Sequence, residues 1–203
     1  MRVGFPIFPG AEELDLAGPW EAFALARDRG GRELELFTVA VTRDPVRLRG
    51  GLRVLPDYAF SSEPAADAIV VPGGPGTREP AAARPVVAWL AARRATPLVA
   101  SVCTGALLLG QAGLLDGRRA TTHSRWLELL RDRHPEVVVV DDLRVVDEGA
   151  VVTAGGDAAG IDLGLHLVGR LLGEELAAEV ASVMEYPSPK TPASASAWSR
   201  SGE

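Results

Sequence analysis

Short apolar runs alternate along the chain with longer segments in which apolar residues recur every third or fourth position. Runs of roughly four to eight apolar or β-branched residues are typical of strands, and longer periodic segments are typical of helices. Two of the runs, AIVV at 68–71 and VVVV at 137–140, contain no polar residue, as expected for strands buried on both faces. The pattern therefore predicts an α/β fold, with a parallel sheet between helices.

The predicted elements cover most of the chain. The predicted strands are Arg2–Phe8, Leu34–Val41, Ala68–Val71, Pro97–Val102, Val137–Val140, Arg144–Asp147 and Ala150–Thr153. The predicted helices are one that starts near Gly18-Pro19, then Pro85–Arg94, Thr104–Gly113, Ser124–Arg131, Ala159–Leu172 and Glu174–Glu185. The segment Arg43–Tyr58 predicts a small hairpin with Gly50-Gly51 as its turn.

A chain of 203 residues fits one domain with a substantial core. Residues 1–186 carry the alternating pattern, and we expect them to form a single α/β domain. Residues 187–203 are rich in proline, serine and alanine, a composition that buries little apolar surface. We expect these residues to form a flexible tail.

Composition and charge narrow the possible functions. The net charge of −6 leaves no basic surplus to neutralise phosphates, which argues against a nucleic-acid partner. No apolar stretch approaches the roughly 18 residues that a membrane span needs. One cysteine excludes an internal disulfide, and three histidines form no zinc-site spacing. We expect a soluble, cytoplasmic protein that acts on a small molecule without metal or other cofactor.

The segment LVASVCTGALLLGQAGLL places Cys103 between a predicted strand and a predicted helix. Small residues, Ser101 and Gly105, stand two positions on either side, as a nucleophile elbow requires where strand and helix approach closely. A thiol at such a turn lies near a helix N-terminus, which favours the thiolate and offers backbone N–H donors. The alternative is a buried, inert cysteine.

Three carboxylates follow the first predicted strand, at the sheet edge where ligands bind in open α/β folds. Asp15 is able to exchange a proton with a nearby thiol, but it also suits helix capping. Glu12 and Glu13 compete for the same role. The residues alone do not choose among the three.

Two further segments are candidates for the same edge. The turn 72–76, PGGPG, follows a buried strand, and Gly73 and Gly74 there either let the backbone approach a ligand or simply form a turn. His123 follows two threonines and either faces the cysteine or packs beneath the crevice.

Four segments together resemble the ThiJ/PfpI superfamily: FPGAEELDLAGPWEAF, VVPGG, SVCTGALLLGQAGLLDGRRATTH and GGDAAGIDLGLHLV. The chain is similar to the isonitrile hydratase branch, which also supplies the sensor domains of certain AraC-type regulators. The resemblance runs from about residue 2 to residue 186. It implies a flavodoxin-like sheet sandwiched by helices and assembled as a homodimer. The regulators carry an additional DNA-binding domain that these 203 residues do not include.

The resemblance also implies roles for individual residues. Cys103 would be the nucleophile and Asp15, in the motif LDLAGP, the catalytic acid. Thr104 would support the cysteine, and Gly73 and Gly74 would supply backbone donors near the thiolate.

The chain departs from the superfamily's patterns at several positions. Protease-like members have histidine directly after the nucleophile, where this chain has Thr104, and glyoxalase members place glutamate where Asp15 stands. Asp157 replaces an apolar or small residue, and Ser124 replaces the aromatic residue that often follows His123. These differences affect the expected substrate more than the expected fold.

The leading hypothesis is hydration of an isonitrile to an N-substituted formamide through a thioimidate on Cys103. The alternatives are a small-molecule sensor without turnover, a redox sensor in which Cys103 is oxidised, and glyoxalase or deglycase chemistry on 2-oxoaldehydes.

Overall fold

The computed structural model describes residues 1–30 and 33–187. Within these residues, the main sheet has seven strands. All neighbouring strands are parallel except for one pair at an edge of the sheet, which is antiparallel. The predicted tail lies, apart from its first residue, outside the described residues. The parallel sheet predicted from the pattern is confirmed, apart from the antiparallel pair at its edge.

The strands of the main sheet are short. They are β1 (Arg2–Pro6), β2 (Glu35–Ala40), β5 (Tyr58–Ala59), β6 (Ala68–Val71), β7 (Leu98–Val102), β10 (Val145–Asp147) and β11 (Val151–Ala154). Their order across the sheet is β10-β11-β7-β6-β1-β2-β5, and β10 with β11 is the antiparallel pair. Every residue of β6, β7 and β11 is buried, as strands covered on both faces require. Six of the seven predicted strands lie in this sheet, within two residues of the predicted bounds; β5 was not predicted.

Two small sheets lie outside the main one. The strands β3 (Val46–Arg47) and β4 (Arg53–Val54) pair antiparallel around the turn at Gly50-Gly51, which confirms the predicted hairpin. The strands β8 (Arg119–Ala120) and β9 (Val138–Val139) pair parallel to each other. The prediction that Val137–Val140 forms a strand buried on both faces was wrong: only Val138–Val139 are paired, in a two-stranded sheet that leaves Val138 59% exposed.

The helices form two groups that cover the sheet. They are α1 (Glu13–Gly30), α2 (Pro80–Ala91), α3 (Gly105–Gln111), α4 (Leu127–Arg133), α5 (Ala159–Leu172) and α6 (Glu174–Val183). The first, fifth and sixth pack together, and the second, third and fourth form the other group. Short 3-10 helices, Pro75–Arg78 and Ser124–Trp126, precede α2 and α4. None of the helices in the described ranges combines the length and the apolar character needed to cross a membrane.

The predicted start of the first helix was wrong. The helix begins at Glu13, and Pro19 lies inside it. A Cβ added at Gly18 would lie 3.1 Å from the Ile161 backbone nitrogen, and one added at Gly164 would lie 2.7 Å from the Pro19 Cα atom. Gly18-Pro19 therefore marks a close crossing of α1 over α5, which the local pattern cannot distinguish from a helix start.

Because β1, β6, β7 and β11 are parallel, their carboxyl ends meet at the same edge of the sheet. The segments that follow these four strands carry Asp15, Gly73, Gly74, Cys103, Thr104 and Asp157. This is the edge at which open α/β sheets bind ligands.

Candidate active site

Cys103 lies directly after β7 in a left-handed backbone conformation, with φ of 54°. Its N–H is directed to the carbonyl oxygens of Ala154 and Gly155, at 3.1 and 2.8 Å. A Cβ added at Gly105 would lie 2.5 Å from the Val71 carbonyl oxygen, so the helix after the cysteine starts closely packed against β6. This strained strand-to-helix turn has the geometry of a nucleophile elbow.

The carbonyl group of Cys103 is held from the other side. The Thr122 hydroxyl donates a 2.7 Å hydrogen bond to it. Because its N–H and its carbonyl are both hydrogen-bonded, the cysteine backbone is fixed. Cys103 as a whole is buried, with 6% of the residue exposed. The surrounding structure therefore maintains a conformation that costs on the order of 1–3 kcal/mol.

Asp15 lies in the first turn of α1, fully buried. Its Oδ2 atom accepts a 2.9 Å hydrogen bond from the Gly73 N–H, and its Oδ1 atom has no partner among the described residues. A Cβ added at Gly73 would lie 2.9 Å from the Asp15 Oδ2 atom and 2.5 Å from the Thr104 nitrogen. Glycine at this position therefore allows the turn to approach both the carboxyl group and the elbow.

The other two carboxylates of the same segment point elsewhere. Glu12 forms an ion pair with Arg49, and Glu13 accepts a 2.6 Å hydrogen bond from the Gly50 N–H. Both partners belong to the hairpin β3–β4. The structure thus selects Asp15, which neither caps its helix nor is solvated, as the carboxyl group that faces the cysteine.

Both acidic groups of the site hold their protons more tightly than usual. Burial raises the pKa of Asp15 to about 8, against the opposing effect of the Gly73 N–H. Burial, and then the negative charge of Asp15, raise the pKa of Cys103 to about 12. At neutral pH the Cys103 thiol is therefore protonated, and the Asp15 carboxyl group is protonated in most molecules.

Thr104 joins the elbow to the glycine turn. Its buried hydroxyl accepts a 2.9 Å hydrogen bond from the Gly74 N–H and faces the Gly74 carbonyl at 3.2 Å. The N–H groups of Gly73 and Gly74 are thus bound to Asp15 and Thr104. The backbone N–H groups that lower the pKa of Cys103 belong to Thr104 and Asp157.

Asp157 adds an exposed carboxylate to the site, from the segment after β11. One oxygen of Asp157, one oxygen of Asp15 and the Cys103 sulfur all lie within 4.8 Å of one another. The sequence showed that an aspartate at position 157 departs from the superfamily's pattern, but it did not show that Asp157 lies beside the thiol. The three groups could hold a metal ion only after both raised-pKa groups lose their protons, so the arrangement suits proton transfer better.

His123 caps the 3-10 helix Ser124–Trp126 and packs against the segment that follows β11. Its Nδ1 atom accepts a 3.1 Å hydrogen bond from the Arg125 N–H and so caps the 3-10 helix. Its ring packs against Gly156, where an added Cβ would lie 2.2 Å from the ring. His123 therefore supports the segment that carries Asp157.

Arg78 and Trp126 are the residues of this region that the sequence did not indicate. The Arg78 guanidinium lies over the Trp126 ring, 4.0 Å from its centroid. The charge of the Cys103 thiolate acts on Arg78 and raises its pKa, although burial has the larger, opposite effect. Neither residue belongs to a recognisable short motif, and the two are far apart in the chain.

The fold and the site define an α/β protein with a buried cysteine at a strand-to-helix elbow and a buried carboxyl group beside it. The DJ-1/PfpI family model matches residues 1–170, and the chain belongs to that family. The chain is 37% identical over 191 residues to the isonitrile hydratase of Pseudomonas putida, covering 93% of this chain and 80% of the relative. It is 31% identical over 185 residues to the HTH-type transcriptional regulator GbdR of Pseudomonas aeruginosa, covering 91% of this chain and 50% of the regulator.

Solved structures agree with this family and fold. A THiJ/PfpI family protein from Pseudomonas syringae superposes with a TM-score of 0.81 at 30% identity, over 94% of this chain and 77% of that chain. An AraC family transcriptional regulator from Pseudomonas putida superposes with a TM-score of 0.80 at 22% identity, over 90% of this chain and 98% of that chain. The second likeness bears on the fold alone.

Proposed function

We propose that this chain is a hydratase that adds water to an isonitrile and releases an N-substituted formamide. The observation that carries the proposal is the buried, largely protonated Asp15 carboxyl group within 4.8 Å of the Cys103 sulfur. Addition to an isonitrile carbon needs both a soft nucleophile and a proton for the same carbon atom. The similarity to isonitrile hydratase supports the same chemistry.

In the first step the Cys103 sulfur attacks the terminal isonitrile carbon. The Asp15 carboxyl group gives its proton to that carbon and takes up the proton of the thiol. The S–H bond breaks, C–S and C–H bonds form, and the product is a thioimidate on Cys103. Because burial raises the pKa of Asp15 to about 8, the acid is present in its proton-donating form at neutral pH.

In the second step a water molecule adds to the thioimidate carbon. Its proton moves by way of Asp15 to the nitrogen, and collapse of the adduct breaks the C–S bond. The formamide leaves and the proton of its hydroxyl group returns to the sulfur. The N–H groups of Thr104 and Asp157, which lower the pKa of Cys103, stabilise the sulfur as it gains charge.

The test is turnover of cyclohexyl isocyanide, followed as formamide by mass spectrometry. We expect product from the wild-type protein and none from Cys103→Ala. Asp15→Asn should lower the rate roughly 10²–10⁴-fold, the usual contribution of a positioned acid. Asp142→Asn, at an exposed acid outside the site, is the control for the same Asp-to-Asn change made away from the thiol. Formamide production by folded Cys103→Ala would contradict the mechanism.

A second candidate is a sensor domain that binds a small molecule without turnover. Because its pKa is raised to about 12, the Cys103 thiol is protonated at neutral pH. A site that only binds a small molecule needs no thiolate, so this protonation state is compatible with a sensor. The similarity to the regulator GbdR supports this alternative. Saturable binding of an isonitrile, measured by calorimetry, with no formamide from the wild-type protein would favour it over the hydratase.

The remaining alternatives have less support. Redox sensing through Cys103 requires a readily formed thiolate, which the raised pKa opposes. Glyoxalase or deglycase chemistry remains a prediction that a 2-oxoaldehyde assay checks. The homodimer and the cytoplasmic location also remain predictions.

A further inference from the structure

Arg78 and Trp126 form a charged and aromatic pair beside the Cys103 site. Arg78 ends the 3-10 helix Pro75–Arg78, and Trp126 ends the 3-10 helix Ser124–Trp126. The guanidinium carbon of Arg78 lies over the Trp126 ring, 4.0 Å from the ring centroid. Both side chains are half-buried, so one part of each is packed and another reaches solvent.

Both segments are tied to the reactive turn. The first begins after Gly74, whose carbonyl accepts a 2.8 Å hydrogen bond from the Thr77 hydroxyl and whose N–H binds Thr104. The second begins directly after His123, which follows the Thr122 that binds the Cys103 carbonyl. The two segments that carry the pair are thus both bound to the elbow, and the charge of Cys103 acts on Arg78.

A second arginine in the chain gives an internal comparison. Arg93 also lies over an aromatic ring, 4.4 Å from the centroid of Trp89, but its charge is paired with Glu63. None of the ion pairs found within residues 1–30 and 33–187 involves Arg78. Apart from Cys103, two charged groups shift the pKa of Arg78. Arg133 lowers it, and Glu79, which has the smallest effect, raises it.

An arginine guanidinium that stacks on an aromatic ring keeps its N–H edge available for a carboxylate. We propose that Arg78 and Trp126 form a subsite that binds an anionic, carboxylate-bearing substituent of the molecule that Cys103 attacks. This inference rests on the proposed function for the reaction, but the subsite itself is tested without turnover. The expected substrates are isonitriles that carry a carboxylate, in preference to neutral isonitriles.

The test compares two alkylating reagents of similar shape and different charge. Cys103 is the chain's single cysteine, so intact mass reports on this thiol alone. Iodoacetate carries the carboxylate that the subsite should attract, whereas iodoacetamide is neutral. The ratio of their rates cancels any change in the reactivity of the thiol itself. We expect Arg78→Gln to lower the iodoacetate-to-iodoacetamide ratio by roughly 3- to 10-fold, the effect of about one near-surface charge.

Arg84→Gln provides the matched control, because this exposed arginine of α2 removes the same charge outside the site. Arg78→Lys, which keeps the charge, should retain most of the ratio. An unchanged ratio in Arg78→Gln, or an equal fall in Arg84→Gln, would overturn the proposal.

A measurement on the wild-type protein removes any dependence on the folding of a variant. Benzoate should slow the alkylation of Cys103 by iodoacetamide, and benzamide at the same concentration should not. Equal protection by both would overturn the subsite. If benzoate protects but no isonitrile is hydrated, the subsite stands and the proposed reaction fails. If a neutral isonitrile is hydrated but benzoate gives no protection, the reaction stands and the subsite fails.

Discussion

The Asp15 carboxyl group and the Cys103 thiol meet at the carboxyl edge of the sheet, one carried by the first turn of α1 and the other by the end of β7. Their reactive atoms lie within 4.8 Å, and burial raises the pKa of both groups. At neutral pH both groups therefore keep their protons, and the carboxyl group is placed to donate its proton to a bound molecule. The predictions below follow from this relationship and from the turns that maintain it.

Asp15→Asn should make the protein more stable, although it removes the carboxyl group that donates the proton. The pKa of Asp15 rises from 3.8 to about 8 on folding. Between these values the unfolded chain has lost the proton and the folded protein keeps it, so the stability of the wild type falls as pH rises. The free energy of unfolding of the wild type therefore falls by at most about 1.4 kcal/mol per pH unit, and the asparagine variant lacks this pH dependence.

The measurement is the free energy of unfolding by urea at several pH values from 4 to 8. The advantage of the variant over the wild type should grow with pH across this range. The Cys103 thiol does not contribute to the slope, because its pKa rises from 9.0 to about 12 and acts only at higher pH. A constant difference would show that Asp15 ionises normally in the folded protein.

Asp157→Asn should make Cys103 react at lower pH. The negative charge of Asp157 raises the pKa of Cys103 as well as that of Asp15. Loss of this charge should increase the rate of alkylation by iodoacetamide at pH 9 by roughly two- to fivefold. The pH dependence of that rate, read by intact mass, locates the midpoint. A midpoint equal to that of the Asp142→Asn control would exclude Asp157 as a group that acts on the thiol.

Thr104→Val should reduce both stability and activity. The Thr104 hydroxyl is the acceptor for the buried Gly74 N–H, and valine of similar shape leaves that donor unbound. An unsatisfied buried donor costs roughly 1–3 kcal/mol. The unfolding midpoint and kcat/KM are both measured, and Thr104→Ser, which keeps the hydroxyl, should retain most of each. Equal losses in the serine variant would indicate that the methyl group matters instead.

Gly105→Ala tests the close packing beneath the elbow. The added Cβ would lie 2.5 Å from the Val71 carbonyl oxygen and 3.0 Å from that of Pro72. We expect roughly 1–3 kcal/mol of destabilisation and a loss of activity, because the strand and the helix must separate. Gly149→Ala is the comparison, since its φ of 78° is strained but nothing lies within 4 Å of an added Cβ. Activity should survive that change, and a loss of activity in both variants would point to general destabilisation.

Much of the fold could be predicted from local pattern. Runs such as AIVV and LVASV allow little besides buried strands, and α5 begins and ends where its apolar periodicity does. The elbow was visible too, because small residues on both sides of Cys103 are a local steric requirement. Helix starts were harder. Gly18-Pro19 looks like a start because its actual role, a close crossing over α5, depends on a partner far along the chain.

The sequence by itself determined most of the strands, most of the helices and the turn that carries the cysteine, since each of these depends on neighbours within a few residues. Only the tertiary structure decided that Asp15 faces the thiol while Glu12 and Glu13 bind the hairpin. It also brought Asp157 to the thiol and Arg78 onto Trp126. Contacts of this kind join segments that meet only when the parallel strands align their carboxyl ends, and burial then sets the pKa values that the chemistry requires.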